Sequence, residues 1–435
     1  MRTPSISVII PTHNRKNSLE ELLMALAAQK YPMNLVEVVV VADGCVDDTS
    51  GMLKNFQAPY SLKFAEQPAS GPAKARNKGA SMALNDLLLF LDDDIIPSDG
   101  LLAAHANGNS GNDTVLIGYL PILVTKKPDL LALQTRSWWE ELYYKMQNPG
   151  YRFTFKDLLS GNFSLHSNLF RSLGGFDETL RCREDYELGA RLIKHGARFI
   201  FSREAWGYHN DTLNNLERSL RRKRSEGQAD VQFAAIHPDV IRQMPLYSLT
   251  RLSRIRRSLL MFLLFQARPL LHVHFFLLKG LFGIAEAFKL RSAFRKINYQ
   301  LNKYWYFIGV ANEIESEKNL RALFKSDANN PSQHKNILEI DLQEGLAVAE
   351  QKIDEHCPSV VHLFYGEFPV AKIPYRPEAE KLQGRHLRHI LLSEHYTSMV
   401  TVVAMDAFLS KQPIVHEQTN PGQALETFIQ IKKVS

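Results

Sequence analysis

Cysteine is scarce: Cys45, Cys182 and Cys357 are the only three in 435 residues, odd in number and far apart. That spacing argues against a disulfide framework and against a cysteine-rich zinc site, and reduced thiols in the cytosol are the expectation. Residues 1–10 lack the charged segment, long apolar run and small-residue cleavage site of a secretory signal, so a cytoplasmic location is expected. Long apolar runs are missing as well. The most hydrophobic stretches, Ser258 to Gln266 and Pro269 to Phe288, are interrupted by Arg268, His272, His274, Lys279 and Glu286. No clean run of 18 residues survives, which favours helices packed on the protein or lying at a membrane surface over a spanning helix. Glycine is absent after the first apolar run, where Pro11-Thr12-His13-Asn14 stands. A dinucleotide-binding Gly-x-Gly-x-x-Gly turn is thereby excluded.

What is present describes a folded chain. Hydrophobic residues make up 45% and charged residues 23%, which fits a packed core, and the length predicts two or three domains. The net charge of +6 is modest, but its excess is clustered. Arg218, Arg221, Arg222, Lys223 and Arg224 form one run, and Arg251, Arg254, Arg256 and Arg257 another. Such runs fit anionic partners or a solvated helix face. An anionic membrane at the inner face of the plasma membrane is the expected surface, and no nucleic acid is expected as a partner.

Ser5 to Pro11 and Glu37 to Ala42 are β-branched runs closed by turn residues, with a helical pattern over Ser18 to Gln29 between them. This is β-α-β with nearly continuous apolar strands, the pattern of a parallel sheet. A third strand is predicted at Leu62 to Glu66, then a helix starting near Pro72 with Ser70 as its cap. A fourth strand, Leu87 to Leu91, runs straight into Asp92-Asp93-Asp94, and a helix over Asp185 to His195 ends at Gly196. His272, Lys279 and Glu286 recur every seven residues, a narrow polar stripe on a wide apolar cylinder. Asp327 to Ser332 reads as a linker, followed by strands at Asn336 to Leu342, Val360 to Tyr365 and Met399 to Met405.

The polar clusters all fall at carboxyl ends of strands, where open α/β sheets bind ligands. Asp92 and Asp94 offer hard oxygens suited to Mg²⁺ or Mn²⁺, with Asp93 between them. An apolar strand feeding into three carboxylates is a costly place to gather negative charge without a cation. Pro11, Thr12, Asn14 and Arg15 follow the first strand and Asp43 the second. A carboxylate at Asp43 suits the N3–H of a uracil ring, while Arg15 and Arg76 suit phosphate. Asp43-Gly44 also reads as a turn, and Arg76 as a surface charge.

In order, Val8-Ile-Ile-Pro-Thr-His-Asn-Arg15, Val41-Ala-Asp-Gly44, Asp47-Asp-Thr49, Gly71-Pro-Ala-Lys-Ala-Arg-Asn77, Phe90-Leu-Asp-Asp-Asp94, Ser160-Gly-Asn-Phe-Ser164, Gly174-Gly-Phe-Asp-Glu178 and Arg183-Glu-Asp185 resemble the family 2 glycosyltransferases. The resemblance covers about residues 4 to 225 and implies an α/β GT-A fold, Rossmann-like with a mostly parallel sheet. It implies an inverting transfer from a nucleotide-diphospho-sugar, expected to be a UDP-sugar, to a glycan or lipid-linked acceptor. In the matching positions Asp43 contacts the base, Asp92 and Asp94 hold ribose, diphosphate and metal, and Asp185 of the Glu184-Asp185 pair is the catalytic base. His209 is the candidate third metal ligand, and Gly161, Asn162 and Trp138 are acceptor-side candidates. Ala42 departs from the family, which commonly has a second aspartate there. Arg181 and Arg183 are expected to keep Asp185 ionised.

The expected organisation is a catalytic domain over 1–225, a basic and apolar helical segment over 226–326 and a small C-terminal α/β domain over 327–435. A sugar-nucleotide pyrophosphorylase would need a glycine-rich first loop that is missing. A processive polysaccharide synthase would carry Gln-x-x-Arg-Trp where Leu220-Arg-Arg-Lys-Arg-Ser-Glu-Gly227 stands. A non-catalytic nucleotide-sugar or glycan-binding protein on the same fold is the remaining alternative.

Overall fold

The computed structural model describes residues 3–109, 111–124, 128–210, 215–326 and 336–409. The linker expected at Asp327 to Ser332 lies outside them. Two compact units are present: Met1–Tyr144 with Thr154–Asn330, and Lys145–Phe153 with Pro331–Ser435. The helices expected as a separate segment over 226–326 thus belong with the first unit.

The first unit carries strands β1 (Ile6–Thr12), β2 (Val36–Asp43), β3 (Ser61–Gln67), β4 (Leu87–Leu91), β5 (Ile95–Pro97), β6 (Thr114–Tyr119), β7 (Asn162–His166) and β8 (Arg198–His209) in one sheet of order β3-β2-β1-β4-β7-β6-β8-β5. Pairings from β3 through β4 are parallel, as is β6 with β8. Those of β7 with β4 and β6, and of β5 with β8, are antiparallel. The parallel half contains the predicted βαβ: β1, β2 and β4 are buried along almost their whole length, as strands covered on both faces are, while the edge strand β3 is only partly buried.

Its helices are α1 (Lys16–Ala27), α2 (Thr49–Asn55), α3 (Pro72–Met82), α4 (Leu101–Gly108), α5 (Leu130–Met146), α6 (Ser167–Ser172), α7 (Glu184–His195), α8 (Leu216–Ile236), α9 (Arg254–Phe265), α10 (Arg268–Ala287), α11 (Arg291–Ile314) and α12 (Glu317–Ser326). Leu19, Leu22, Leu23 and Leu26 of α1 are buried at i, i+3, i+4 and i+7, one helix face. Helix α3 reaches the sheet because residue 79 is glycine: a Cβ there would lie 2.6 Å from Ile9 Cγ2. Phe90 of β4 sits opposite Phe163 of β7 and stacks on it at 4.9 Å, with Phe170 and Phe176 closing the cluster. Burying each such ring contributes about 1.5–3 kcal/mol and holds the strand end that carries Asp92.

Helices α8 and α11 cross with backbones almost touching. A Cβ on Gly227 would stand 2.1 Å from the Tyr306 carbonyl oxygen, and one on Gly309 2.0 Å from that of Arg224. Any larger residue at either position would drive the helices apart.

The second unit has a three-stranded sheet, β11 (Phe368–Ile373), β10 (Val360–Tyr365) and β9 (Ile337–Asp341), with helices α13 (Leu346–His356), α14 (Leu387–Glu394) and α15 (Tyr396–Leu409). The strand expected at Met399 to Met405 is helix. Met399, Val402 and Val403 are its buried residues, a spacing of three and four that a strand could not bury on one face. Residues 145–153 join this unit, Arg152 Nε donating to the Glu380 carbonyl at 2.7 Å and Glu380 N to the Phe153 carbonyl at 2.8 Å.

Candidate functional site

Parallel strands β1, β2 and β4 end side by side, and the turns leaving them are tied by their own polar side chains. Asn14, at φ 53°, accepts from Val46 N at 2.7 Å, and His13 Nδ1 meets the Asp43 carbonyl at 2.5 Å. Pro11 lies within β1 opposite Val41. The Asp43 carboxylate accepts from Gln67 Nε2, Ser70 N and Gly71 N, each at 2.8 Å. That engages three of its roughly four acceptor positions. The start of α3 is therefore held by Asp43, not by a Ser70 cap; Gly71 is the capping residue, and Ser70 Oγ turns back to the Pro68 carbonyl.

The acidic triplet at the end of β4 is balanced mostly by cationic side chains of the chain itself. Asp93 accepts from Thr12 Oγ1 at 2.7 Å and from Arg15 at 3.0 Å, and Arg15 also grips Asp94 Oδ2. Burial nevertheless pushes Asp93 up to about 6. Arg76, buried, donates to Asp92 Oδ1 at 2.7 Å and to Glu184 Oε1 at 2.9 Å. It is therefore not a surface charge. One guanidinium joins the triplet to the Glu184-Asp185 pair, although Asp92 and Glu184 stand 92 positions apart in the chain.

His209 reaches the same place through strand pairing. Antiparallel contact of β5 with the end of β8 sets Ile95 opposite His209, so Asp94 and His209 become neighbours. Asp94 Oδ1 is buried without a well-directed hydrogen bond, and His209 Nε2 approaches it to 3.1 Å. Ligand atoms of Asp92, Asp94 and His209 all lie within 4.8 Å of one another. Burial alone would raise Asp94, but His209 and Arg15 outweigh it and hold the carboxyl down at about 2. Two carboxylates, one with an orphaned oxygen, and an imidazole nitrogen fit a hard or borderline divalent cation.

Helix α7 begins on Arg183, which adopts the left-handed conformation at φ 67°. That geometry costs about 1–2 kcal/mol for a non-glycine residue. Its guanidinium is fixed by Glu226 at 3.1 Å and Asp230 at 3.0 Å from α8, and Tyr306 Oη of α11 donates to Asp230 at 2.6 Å. Asp185, half-buried, accepts from Tyr186 N at 2.8 Å. The expected ionisation by neighbouring arginines does not win: burial, then the charge of Glu184, outweigh Arg183 and Arg76 and raise Asp185 to about 7. Nothing in the sequence pointed to Glu226 and Asp230, which only the packing of α8 brings to Arg183, or to Tyr306, which α11 brings to Asp230.

The acceptor-side candidates separate. Gly161 abuts the triplet, since a Cβ there would lie 2.9 Å from Asp92 Oδ2 and 3.1 Å from Leu120. Asn162 is buried, and its amide is committed to His105 Nε2 at 2.8 Å and the Ala205 carbonyl at 2.9 Å. It holds β7 to α4 and β8. Trp138 is exposed on α5, edge-on to Trp139.

Residues 7–174 match the family described as Glycosyl transferase family 2. The validoxylamine A glucosyltransferase of Streptomyces hygroscopicus subsp. jinggangensis (strain 5008) is 34% identical over 236 residues, 47% of this chain and 55% of that protein. The pre-mycofactocin glycosyltransferase of Mycobacterium tuberculosis (strain ATCC 25618 / H37Rv) is 28% identical over 253 residues, 54% of this chain and 48% of that protein. The chain spans about half the length of these curated relatives. Among solved structures, the mannosyltransferase PcManGT from Pyrobaculum calidifontis, in complex with GDP-Man and Mn²⁺, is similar at 17% identity and a TM-score of 0.43, covering 76% of this chain and 88% of that one.

Proposed function

We propose that the protein transfers a sugar from a nucleotide-diphospho-sugar, a UDP-sugar first among them, to a hydroxyl of a glycan or lipid-linked acceptor, with inversion at C1; the match of residues 7–174 to Glycosyl transferase family 2 supports this reading. One observation carries the reading: Arg76 joins Asp92 of the triplet to Glu184, beside Asp185, so donor-side and base-side carboxylates share one guanidinium.

Asp92, Asp94 and His209 would hold Mn²⁺ or Mg²⁺, which supplies neutralising charge to the leaving diphosphate. Thr12, Asn14, Arg15 and Asp43 shape the nucleotide side, Asp43 by setting the turn before α3 with one acceptor position left for the base. An acceptor hydroxyl is a poor nucleophile at neutral pH. Asp185 takes its proton as the new C1–O bond forms and the C1–O bond to phosphate breaks. A carboxylate raised to about 7 suits that work, since a base is most effective when its pKa lies near the working pH. Gly161 leaves the acceptor side open beside Asp92.

The test is a panel of UDP-, GDP- and dTDP-sugars with Mn²⁺, Mg²⁺ or EDTA, read by thermal shift and by donor consumption. A donor selective for the native state raises the melting temperature. Stabilisation by a nucleotide sugar without any turnover, across acceptors, would favour the non-catalytic binding protein. No stabilisation by any donor with either metal would overturn the reading.

A further inference from the structure

Helix α10 is built inside out. Its regular polar stripe faces the protein: Lys279 pairs with Glu217 of α8, Glu286 accepts from Leu130 N at the start of α5 at 3.0 Å, and His272 lies edge-on to Tyr304 of α11. Phe282 and Ala285 are buried on the same side, with Phe282 against Phe294. The outward face is apolar but for exposed His274 at its edge. Leu270, Val273, Leu277, Leu281, Ile284 and Phe288 are all exposed, and at 100° per residue they fall within about 80° of one another. Phe276, 75% exposed, widens the stripe. Ile255, Leu259 and Phe262 of α9 form a second exposed apolar line at spacings of four and three.

An ordinary surface helix buries its apolar stripe and wets its polar one. A contiguous outward face of this kind marks an interaction surface. By length and composition α10 could cross a membrane, with mean hydropathy 1.4 over its apolar window and 17% of that window buried. Its inner side, however, is bonded to α5, α8 and packed on α11, so only one side is left for lipid.

Charge decides the occupant. Residues 240–312 hold twelve Lys and Arg and a single acid, Glu286, and that acid is already bonded within the protein. Exposed Arg251, Arg254 and Arg256 flank the apolar face at one end, and Lys289, Arg291 and Arg295 at the other. We propose that the outer face of α9 and α10 docks in the plane of an anionic lipid bilayer, its apolar side chains among the acyl chains and its flanking cations on the headgroups. The proposal goes beyond the transferase reading and stands without it, because the readout is the location of the protein itself.

The full chain is mixed with phosphatidylcholine vesicles with and without phosphatidylglycerol and floated on a density gradient. Flotation is expected with the anionic vesicles at low salt, and a loss of it at about 1 M salt, where screening falls to about 3 Å. Phe276→Glu with Leu277→Glu, and separately Arg254→Glu with Arg256→Glu, should each lower partitioning by about tenfold or more. These side chains are exposed, so melting temperature and donor-induced stabilisation should be unchanged in both variants. Wild-type protein that stays at the bottom overturns the proposal, as does flotation that neither variant reduces. Resistance to alkaline carbonate extraction would replace it with a spanning helix. A dimer in light scattering that Phe276→Glu dissolves, without flotation, would assign the face to a second copy.

Discussion

Replacing Asp185 by Asn should weaken catalysis and strengthen the fold, and the two effects have one origin. The carboxyl is raised from an ordinary value of 3.8 to about 7, so above neutrality the native state carries a charge it would be more stable without. A folded pKa above the unfolded one means stability is fully present below about pH 4 and is lost as pH rises through about 7. The rise belongs to Asp185 together with the adjoining Glu184, so at about 1.4 kcal/mol per pH unit it bounds the penalty for the pair at about 4 kcal/mol. Discounted for the residual exposure of the side chain, about 2 kcal/mol is expected. Asparagine keeps the shape and the bond from Tyr186 N but cannot ionise. Differential scanning fluorimetry at pH 8 should show the variant melting a few degrees higher, on the order expected for a large domain, with the gain shrinking as pH falls toward 4. Transfer should fall about 10²–10⁴-fold with donor affinity retained. A variant no more stable than wild type at pH 8, or one with near-normal turnover, would refute the reasoning.

In wild type, kcat/KM should rise with pH and level off above about 7, because the base must be unprotonated; a profile flat from pH 5 to 8 would remove Asp185 from that role. Asp94→Ala should abolish the metal-dependent part of donor binding, measured by calorimetry with and without Mn²⁺, while donor binding unaffected by EDTA in wild type would exclude a cation at Asp92, Asp94 and His209. Asp43→Ala should raise the donor KM more than it lowers kcat and cost about 1–3 kcal/mol of stability, since the Gln67, Ser70 and Gly71 donors lose their acceptor. Tyr306→Phe removes the hydroxyl that supports buried Asp230. It should cost about 1–3 kcal/mol in denaturant unfolding; an unchanged midpoint would show that the Arg183–Asp230–Tyr306 chain does not hold α7.

Much of the first unit was legible because its elements are local and its strands are buried on both faces. Apolar runs at Ser5 to Pro11, Glu37 to Ala42 and Leu87 to Leu91 predict β1, β2 and β4 nearly to the residue, and Gly196 stops α7 where the spacing predicts. The small C-terminal sheet was harder. Met399 to Met405 is rich in β-branched residues, yet its burial follows helical spacing, and propensity gave way to packing. The same limit applies to the site. Strand ends placed Asp43 and the triplet on one edge, since chain order and the parallel pattern determine that much by themselves.

What the tertiary structure decided is which charge faces which. Arg76 reads as a surface cation in sequence, but the fold buries it between Asp92 and Glu184. Arg183 reads as a neighbour that keeps Asp185 ionised, but the fold pairs its guanidinium with Glu226 and Asp230 of α8. Desolvation then sets the pKa of Asp185. A seven-residue polar repeat is visible in the sequence of α10, yet its direction, inward, is a property of the helices it meets. Periodicity states which residues share a face; only packing states what that face touches.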